Sequence, residues 1–303
     1  MIAVLGAGAV GSYFGGMLAR AGEPVTLIGR AAQVEAIARD GLVLESAGRT
    51  ERIPMAARAE AAAVRDAAVV LVCVKTNDTA EAARAIAPHL ATGALVVSLQ
   101  NGVDNVEAMR AAAGVEAIPA VVYVAVAVPA PGHVRHTGRG DLILGAPVDS
   151  PLRPRVEQLA KTFERAGVPC RVSVDLAPDL WIKLVMNCAF NAVSALGDAR
   201  YGAIAEDPAA REVVTRAVQE AEAVARAAGV RLPEVDLVAS AWKLAAAMPQ
   251  ASSSTAQDLA RGRRTEIDAL NGYVARRGAE LSIPTPVNQA LFALIHLREA
   301  RNA

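Results

Sequence analysis

Gly6-Ala7-Gly8-Ala9-Val10-Gly11 is the segment that most narrows what this chain can fold into. It follows a short apolar run, residues 2–5, and opens a helix-forming stretch. Each glycine answers a separate need. Gly6 permits a tight turn, Gly8 lets the backbone approach a diphosphate, and Gly11 lets a helix pack closely on the strand before it. The first amides of the helix then offer N–H groups and partial positive charge to an anion. The whole segment, Gly6 to Gly11, therefore reads as a dinucleotide-binding loop.

The surrounding pattern suits that loop. Residues 2–5, 25–28, 69–74, 94–99 and 121–128 are continuous apolar runs rich in β-branched side chains. Such runs fit strands covered on both faces. Residues 12–21 and 79–90 between them carry helical patterns. The alternation predicts an α/β fold with a doubly wound sheet. Residues 133–137 and 141–144, separated by Gly138-Arg139-Gly140, predict a hairpin. A helix is expected over 152–166 and a strand over 170–174. From Asp175 onward only helical patterns occur, rich in Ala, Leu, Glu and Arg. The expected domains are therefore 1–174, the nucleotide-binding half, and 175–303, an all-helical half. Residues 298–303 are expected to fray.

Composition excludes several classes. The 303 residues hold 31 basic and 31 acidic side chains, so no cationic excess exists for general nucleic-acid binding. At 53% hydrophobic and 20% charged residues, the chain has enough apolar surface to escape disorder. The longest uncharged apolar run, 117–130, is shorter than the roughly 20 residues of a membrane span and contains Pro119 and Pro129. No charged leader precedes the first strand, so a cytoplasmic protein is expected. Cys73, Cys170 and Cys188 lack metal or disulfide spacing, and His89, His133, His136 and His296 lack paired-ligand spacing, so no metal is expected.

Arg30 follows the second strand at Gly29. An acid in this region would bond a ribose 2′-hydroxyl, whereas a guanidinium attracts a 2′-phosphate. NADPH is therefore the expected cofactor. In the helical half, Lys183, Asn187 and Asn191 recur every four residues on a stretch that is otherwise apolar. They form one slowly drifting line along a helix. Buried polar groups without partners cost about 1–3 kcal/mol each, so this line must meet a wet cleft, a ligand or other polar groups. Asp179, one turn earlier, is placed to pair with Lys183. A second cluster runs from Ser252 to Asp258, followed by a basic stretch and Thr265-Glu266-Ile267-Asp268. Alone it reads as a serine-rich loop and an exposed charged helix.

Together these pieces resemble 2-dehydropantoate 2-reductase, the ketopantoate reductase family. The resemblance rests on the glycine segment, Val74-Lys75-Thr76, Gln100-Asn101-Gly102, the Lys183/Asn187/Asn191 line, Ser253-Ser254 with Gln257-Asp258, Thr265-Glu266-Ile267-Asp268 and Pro284-Thr285-Pro286-Val287-Asn288. It implies a Rossmann-type doubly wound sheet domain followed by an all-helical C-terminal domain, with the active site in the cleft between them. It implies NADPH-dependent reduction of a small 2-oxo acid, ketopantoate, to pantoate in pantothenate biosynthesis. By the same resemblance Lys183 is the general acid and Glu266 bonds the substrate's terminal hydroxyl. Asn187, Asn191 and Ser254 bind substrate, Asn101 lies near nicotinamide and substrate, and Lys75 joins Arg30 at the 2′-phosphate. Thr255 stands where the family commonly has methionine. Other outcomes consistent with the residues are a reductase of another 2-oxo or β-keto acid, an NADPH-binding regulator without turnover, or an adaptor. The apolar helical half admits a homodimer. Neither nucleic acid nor membrane is expected as a partner.

Overall fold

β1 (Ile2–Leu5) is buried at all four positions and begins the sheet on which the first half of the chain is built. The structure, a computed structural model, describes residues 1–301. It divides the chain into two compact units, Met1–Leu176 and a second that begins at Ala177.

In the first unit β1 is followed by α1 (Ala9–Arg20), β2 (Val25–Ile28), α2 (Ala31–Asp40), β3 (Leu42–Ser46), β4 (Arg49–Ile53), β5 (Ala56–Arg58) and β6 (Val69–Val72). Then come α3 (Thr79–Ile86), β7 (Leu95–Ser98), α4 (Asn105–Ala113), β8 (Ile118–Ala130), β9 (His133–Gly145), α5 (Arg153–Arg165) and β10 (Cys170–Ser173). The strand order is β4-β3-β9-β8-β7-β6-β1-β2-β5, with β10 beside β9. From β8 to β5 every neighbour pair is parallel. The chain leaves β1 toward β2 on one side and returns to β6 on the other. The carboxyl ends of the strands where the winding reverses are where open α/β sheets bind ligands.

The continuous apolar runs have a direct cause. Val4, Leu71 and Val97 face one core with Phe14, Leu18 and Phe163 from α1 and α5. Their neighbours Leu5, Val70, Val72 and Val96 face the other, with Ile86 of α3 and Met109 of α4. Successive side chains alternate across a strand, so a sheet covered on both faces needs apolar residues at every position.

The hairpin differs from expectation. β9 runs unbroken through Gly138-Arg139-Gly140, pairing antiparallel with β8 with irregular register there. The turn lies at Pro131-Gly132, where Gly132 has φ +74, the proline-glycine pattern of a type II turn. Gly140 serves close approach instead: a Cβ there would stand 2.5 Å from the Tyr13 hydroxyl of α1. The apolar run expected over 121–128 is part of a longer strand, and β3, β4 and β5 are additional strands.

Among the described residues the second unit is built of helices: α6 (Ala177–Gly197), α7 (Tyr201–Glu206), α8 (Pro208–Ala227), α9 (Leu237–Ala247), α10 (Ser254–Ala260), α11 (Asn271–Glu280) and α12 (Pro286–Ala300). Asp207 caps α8 through the Ala210 amide at 2.7 Å, and Asp236 caps α9 through Ala239 at 2.8 Å. α6 is long and apolar enough, by length and composition, to cross a membrane. Its apolarity has another use: Ala192 and Ala195 pack in one cluster with Ala217, Leu259, Ile267, Leu291 and Ile295. Residues 298–300, expected to fray, continue α12, because Glu299 accepts the Thr265 amide at 2.6 Å. The same expectation for 302 and 303 lies outside the described residues.

Phe163 is fully buried, with its ring edge-on to Phe14 at 6.1 Å. Phe163→Ala is expected to cost about 3–5 kcal/mol of stability, read as a lower midpoint in urea unfolding.

Candidate active site

The first part of the site is built at the end of β1. Gly6 has φ +107, and a Cβ there would meet the Val74 nitrogen at 2.6 Å. Gly11 has less room still, with the Gly6 carbonyl oxygen 2.1 Å from its would-be Cβ. Gly8 is different: a Cβ there meets nothing within 4 Å. It is the N-cap of α1, with no side-chain cap and no acid in the first turn. Ala9 and Val10 follow, half-buried. The helix end is thus open to an anion, and backbone N–H groups with the helix dipole supply the attraction. These residues fit the diphosphate of a dinucleotide.

Arg30 is exposed at the N-cap of α2, just past β2, and its guanidinium makes no ion pair among the described residues. Gly29 before it is required by crowding, since its Cβ would stand 2.6 Å from that of Ala7. Lys75 follows β6, half-buried. The loop it begins is tied to the loop of Asn101: Thr76 Oγ1 donates to the Asn101 carbonyl at 2.6 Å, as does Asn105 Nδ2 at 2.6 Å. Behind them Gln100 Nε2 donates to Thr79 Oγ1 at 2.7 Å and to the Val74 carbonyl at 3.1 Å. Thr79, Gln100 and Asn105 are buried, so this polar group is a fixed brace. Sequence reasoning missed Thr79 and Asn105, because a brace leaves no local spacing signal.

The second part lies in the helical unit. Trp181, Leu184, Val185, Cys188, Ala189 and Phe190 of α6 are buried, whereas Lys183 and Asn187 are half-buried. Asn191 is buried and donates through Nδ2 to Ser254 Oγ at 3.4 Å. Two sequence-predicted residues, 63 positions apart, thus meet. Ser253 holds the junction: its hydroxyl donates to the Asn191 carbonyl at 3.0 Å and accepts from the Ala256 amide at 3.0 Å. Ser254 is exposed, and Thr255 is buried. Glu266 is half-buried where a 3-10 turn begins, next to Ile267, which is in the α6 cluster.

Two further residues were not singled out from sequence. Asn271 Nδ2 donates to the Cys188 carbonyl of α6 at 3.2 Å and to Asn288 Oδ1 at 3.0 Å. Asn288 Nδ2 in turn donates to a Glu220 carboxylate oxygen at 2.8 Å, which also receives the Asn288 amide at 2.9 Å. α6, α8, α11 and α12 are locked through these buried amides. Asn288 stood in the quoted Pro284-Thr285-Pro286-Val287-Asn288 segment, without spacing to explain its part.

Burial pushes the thiols of Cys73 and Cys188 well above their ordinary range and that of Cys170 up to about 12. No group of three or more His, Cys, Asp or Glu residues is placed to hold a metal ion among the described residues.

The family profile described as Ketopantoate reductase PanE/ApbA matches residues 2–148, and that of its C-terminal domain matches residues 175–299. The chain belongs to the ketopantoate reductase family. A 2-dehydropantoate 2-reductase of Mesorhizobium japonicum is 33% identical over 97% of this chain and 96% of that protein. The Pyrobaculum aerophilum 2-dehydropantoate 2-reductase is 41% identical, over 48% of this chain, and the match spans about half, 52%, of that protein. Among solved structures, a PanE/ApbA family ketopantoate reductase from Ralstonia eutropha JMP134 is 46% identical, with a TM-score of 0.93 over 100% of this chain and 99% of that one. The family resemblance drawn from the motifs and the fold class expected from them both stand.

The raised thiols predict a chemical outcome. Raised values mean that the neutral thiol is the native form, so its contribution holds below the ordinary thiol pKa and is lost as pH rises above it. Cys170 and Cys188 are expected to resist a thiol reagent at mildly alkaline pH in the native protein, with all three cysteines reacting after denaturation. Spectrophotometric thiol counting checks this.

Proposed function

We propose that this protein is an NADPH-dependent 2-dehydropantoate 2-reductase, a ketone reductase in which Lys183 is the general acid. The observation that carries the proposal is the polar line on α6. Lys183 and Asn187 are half-buried on a helix whose other faces are packed, and Asn191 is already bonded to Ser254.

When bound, the nicotinamide supplies a hydride to the substrate's ketone carbon. The glycine segment, Gly6 to Gly11, holds the diphosphate, and Arg30 with Lys75 holds the 2′-phosphate. Asn101, its loop fixed by Thr76 and Asn105, orients the nicotinamide end and the substrate. The Lys183 ammonium donates a hydrogen bond to the ketone oxygen, steadies the negative charge that develops there and delivers the proton. The product is a 2-hydroxy acid. General acid catalysis of this kind contributes about 10²–10⁴ in rate. Asn187 and Asn191 bind the substrate's hydroxyl and carbonyl groups and Ser254 its carboxylate. Glu266 accepts from the terminal hydroxyl. That last contact gives selectivity, because an analogue lacking the hydroxyl leaves the site's polar group unpaired. The place in pantothenate formation, a cytoplasmic location and a homodimer belong to the same proposal, by family likeness.

Lys183→Ala is expected to lower kcat with ketopantoate by about 10²–10⁴ and to leave NADPH affinity near that of the unsubstituted protein. Steady-state rates and a fluorescence titration read the two quantities. Unchanged turnover would remove the acid role. Arg30→Asp is expected to weaken NADPH relative to NADH by roughly ten- to a thousandfold, the value of one or two charge-assisted bonds. An equal loss for both cofactors would mean that Arg30 does not read the phosphate.

A further inference from the structure

The peptide joining Ala7 to Gly8 is held from one side by two side chains. Gln33, in the first turn of α2, donates through Nε2 to the Ala7 carbonyl at 2.9 Å. Ser12, fully buried in α1, donates through its hydroxyl to the same oxygen at 3.2 Å. Gln33 cannot turn its amide over without loss, because its Oε1 accepts the Gly132 amide of the β8–β9 turn at 2.7 Å. The end that meets Ala7 is therefore the donor end. The two preceding amides, of Gly6 and Ala7, are both committed to the Ile28 carbonyl at 2.9 Å each.

A trans peptide is planar, and its C=O and N–H point in opposite directions. No peptide bond among the described residues is cis. Fixing the Ala7 oxygen toward Gln33 and Ser12 therefore turns the Gly8 N–H the other way. Gly8 itself is exposed, and a Cβ there would meet nothing within 4 Å.

We infer that Gln33 and Ser12 are positioning residues for the dinucleotide, aiming the Gly8 N–H at the diphosphate by gripping the carbonyl of the same peptide. The inference rests on the cofactor site proposed above. It assigns the first turn of α2 two separate tasks: Arg30 discriminates between cofactors, and Gln33, three residues later, serves both alike. It also ties the Pro131-Gly132 turn to the glycine segment through one amide side chain.

The test separates these tasks. Dissociation constants for NADPH, NADH and adenosine 2′-monophosphate are measured by fluorescence titration and competition on Gln33→Leu, Ser12→Ala and the double variant, with thermal melting to verify folding. Gln33→Leu is expected to weaken NADPH and NADH by the same factor, about two- to tenfold, the range of a net hydrogen bond. Adenosine 2′-monophosphate, which has no 5′-phosphate, should bind as before. Ser12→Ala should act in the same direction, and the double variant should exceed either single one. Unchanged dinucleotide affinity in both single variants overturns the inference. So does a parallel loss of the nucleotide monophosphate, since Gln33 would then act by displacing Arg30. Failure of the unsubstituted protein to bind either dinucleotide would sink the cofactor proposal itself, and this inference with it.

Discussion

The approach of α1 to the start of its own loop is the constraint on which the first unit depends. With the Gly6 oxygen 2.1 Å from any Cβ at position 11, no side chain fits there. Helix and loop can lie this close only because residue 11 is glycine, whereas Gly6 answers a different demand, its φ of +107 and a Cβ that would meet the Val74 nitrogen at 2.6 Å. The approach seats Phe14 and Leu18 against the sheet, and it turns the open end of the helix outward at Gly8. Packing and the open helix end are therefore one feature, since the geometry that closes the core on one side of the loop leaves the uncapped start of α1 on the other.

The helical unit solves a different problem. α6 must be apolar to be the core helix, yet it carries three strongly polar side chains in its middle. It does both by confining Lys183, Asn187 and Asn191 to one line while the remaining faces pack. Such a helix is costly if it rotates or slides, because buried polar groups would lose partners. The ties from Asn271 to the Cys188 carbonyl, from Ser253 to the Asn191 carbonyl and from Asn288 to Glu220 oppose that motion. These residues position the line rather than belong to it.

Much of this was legible in the chain because the signals were local. The glycine segment, the continuous apolar runs and the four-residue polar period each state their own geometry within a few residues. The hairpin was misread because Gly138-Arg139-Gly140 carries a turn signal that tertiary crowding overrides. Gly140 is glycine because Tyr13 of α1 comes close, and that neighbour is more than a hundred residues away. The proline-glycine pair that makes the turn was masked by the apolar run leading into it. β3, β4 and β5 escaped notice because they are short and partly exposed, so their sequences lack the continuous apolar signature of the covered strands.

The sequence by itself determined an α/β half followed by a helical half, the tight glycine turn into α1 and the polar line of α6. Each follows from periodicity and from what glycine alone can do. Only the tertiary structure decided which groups support them: Gln33 and Ser12 on one carbonyl, Thr79 with Gln100 and Asn105 behind the β6 and β7 loops, Asn271 with Asn288 under α6. The physical reason is that a hydrogen bond between distant segments needs a correct distance and direction. Neither exists until the chain between them has been folded.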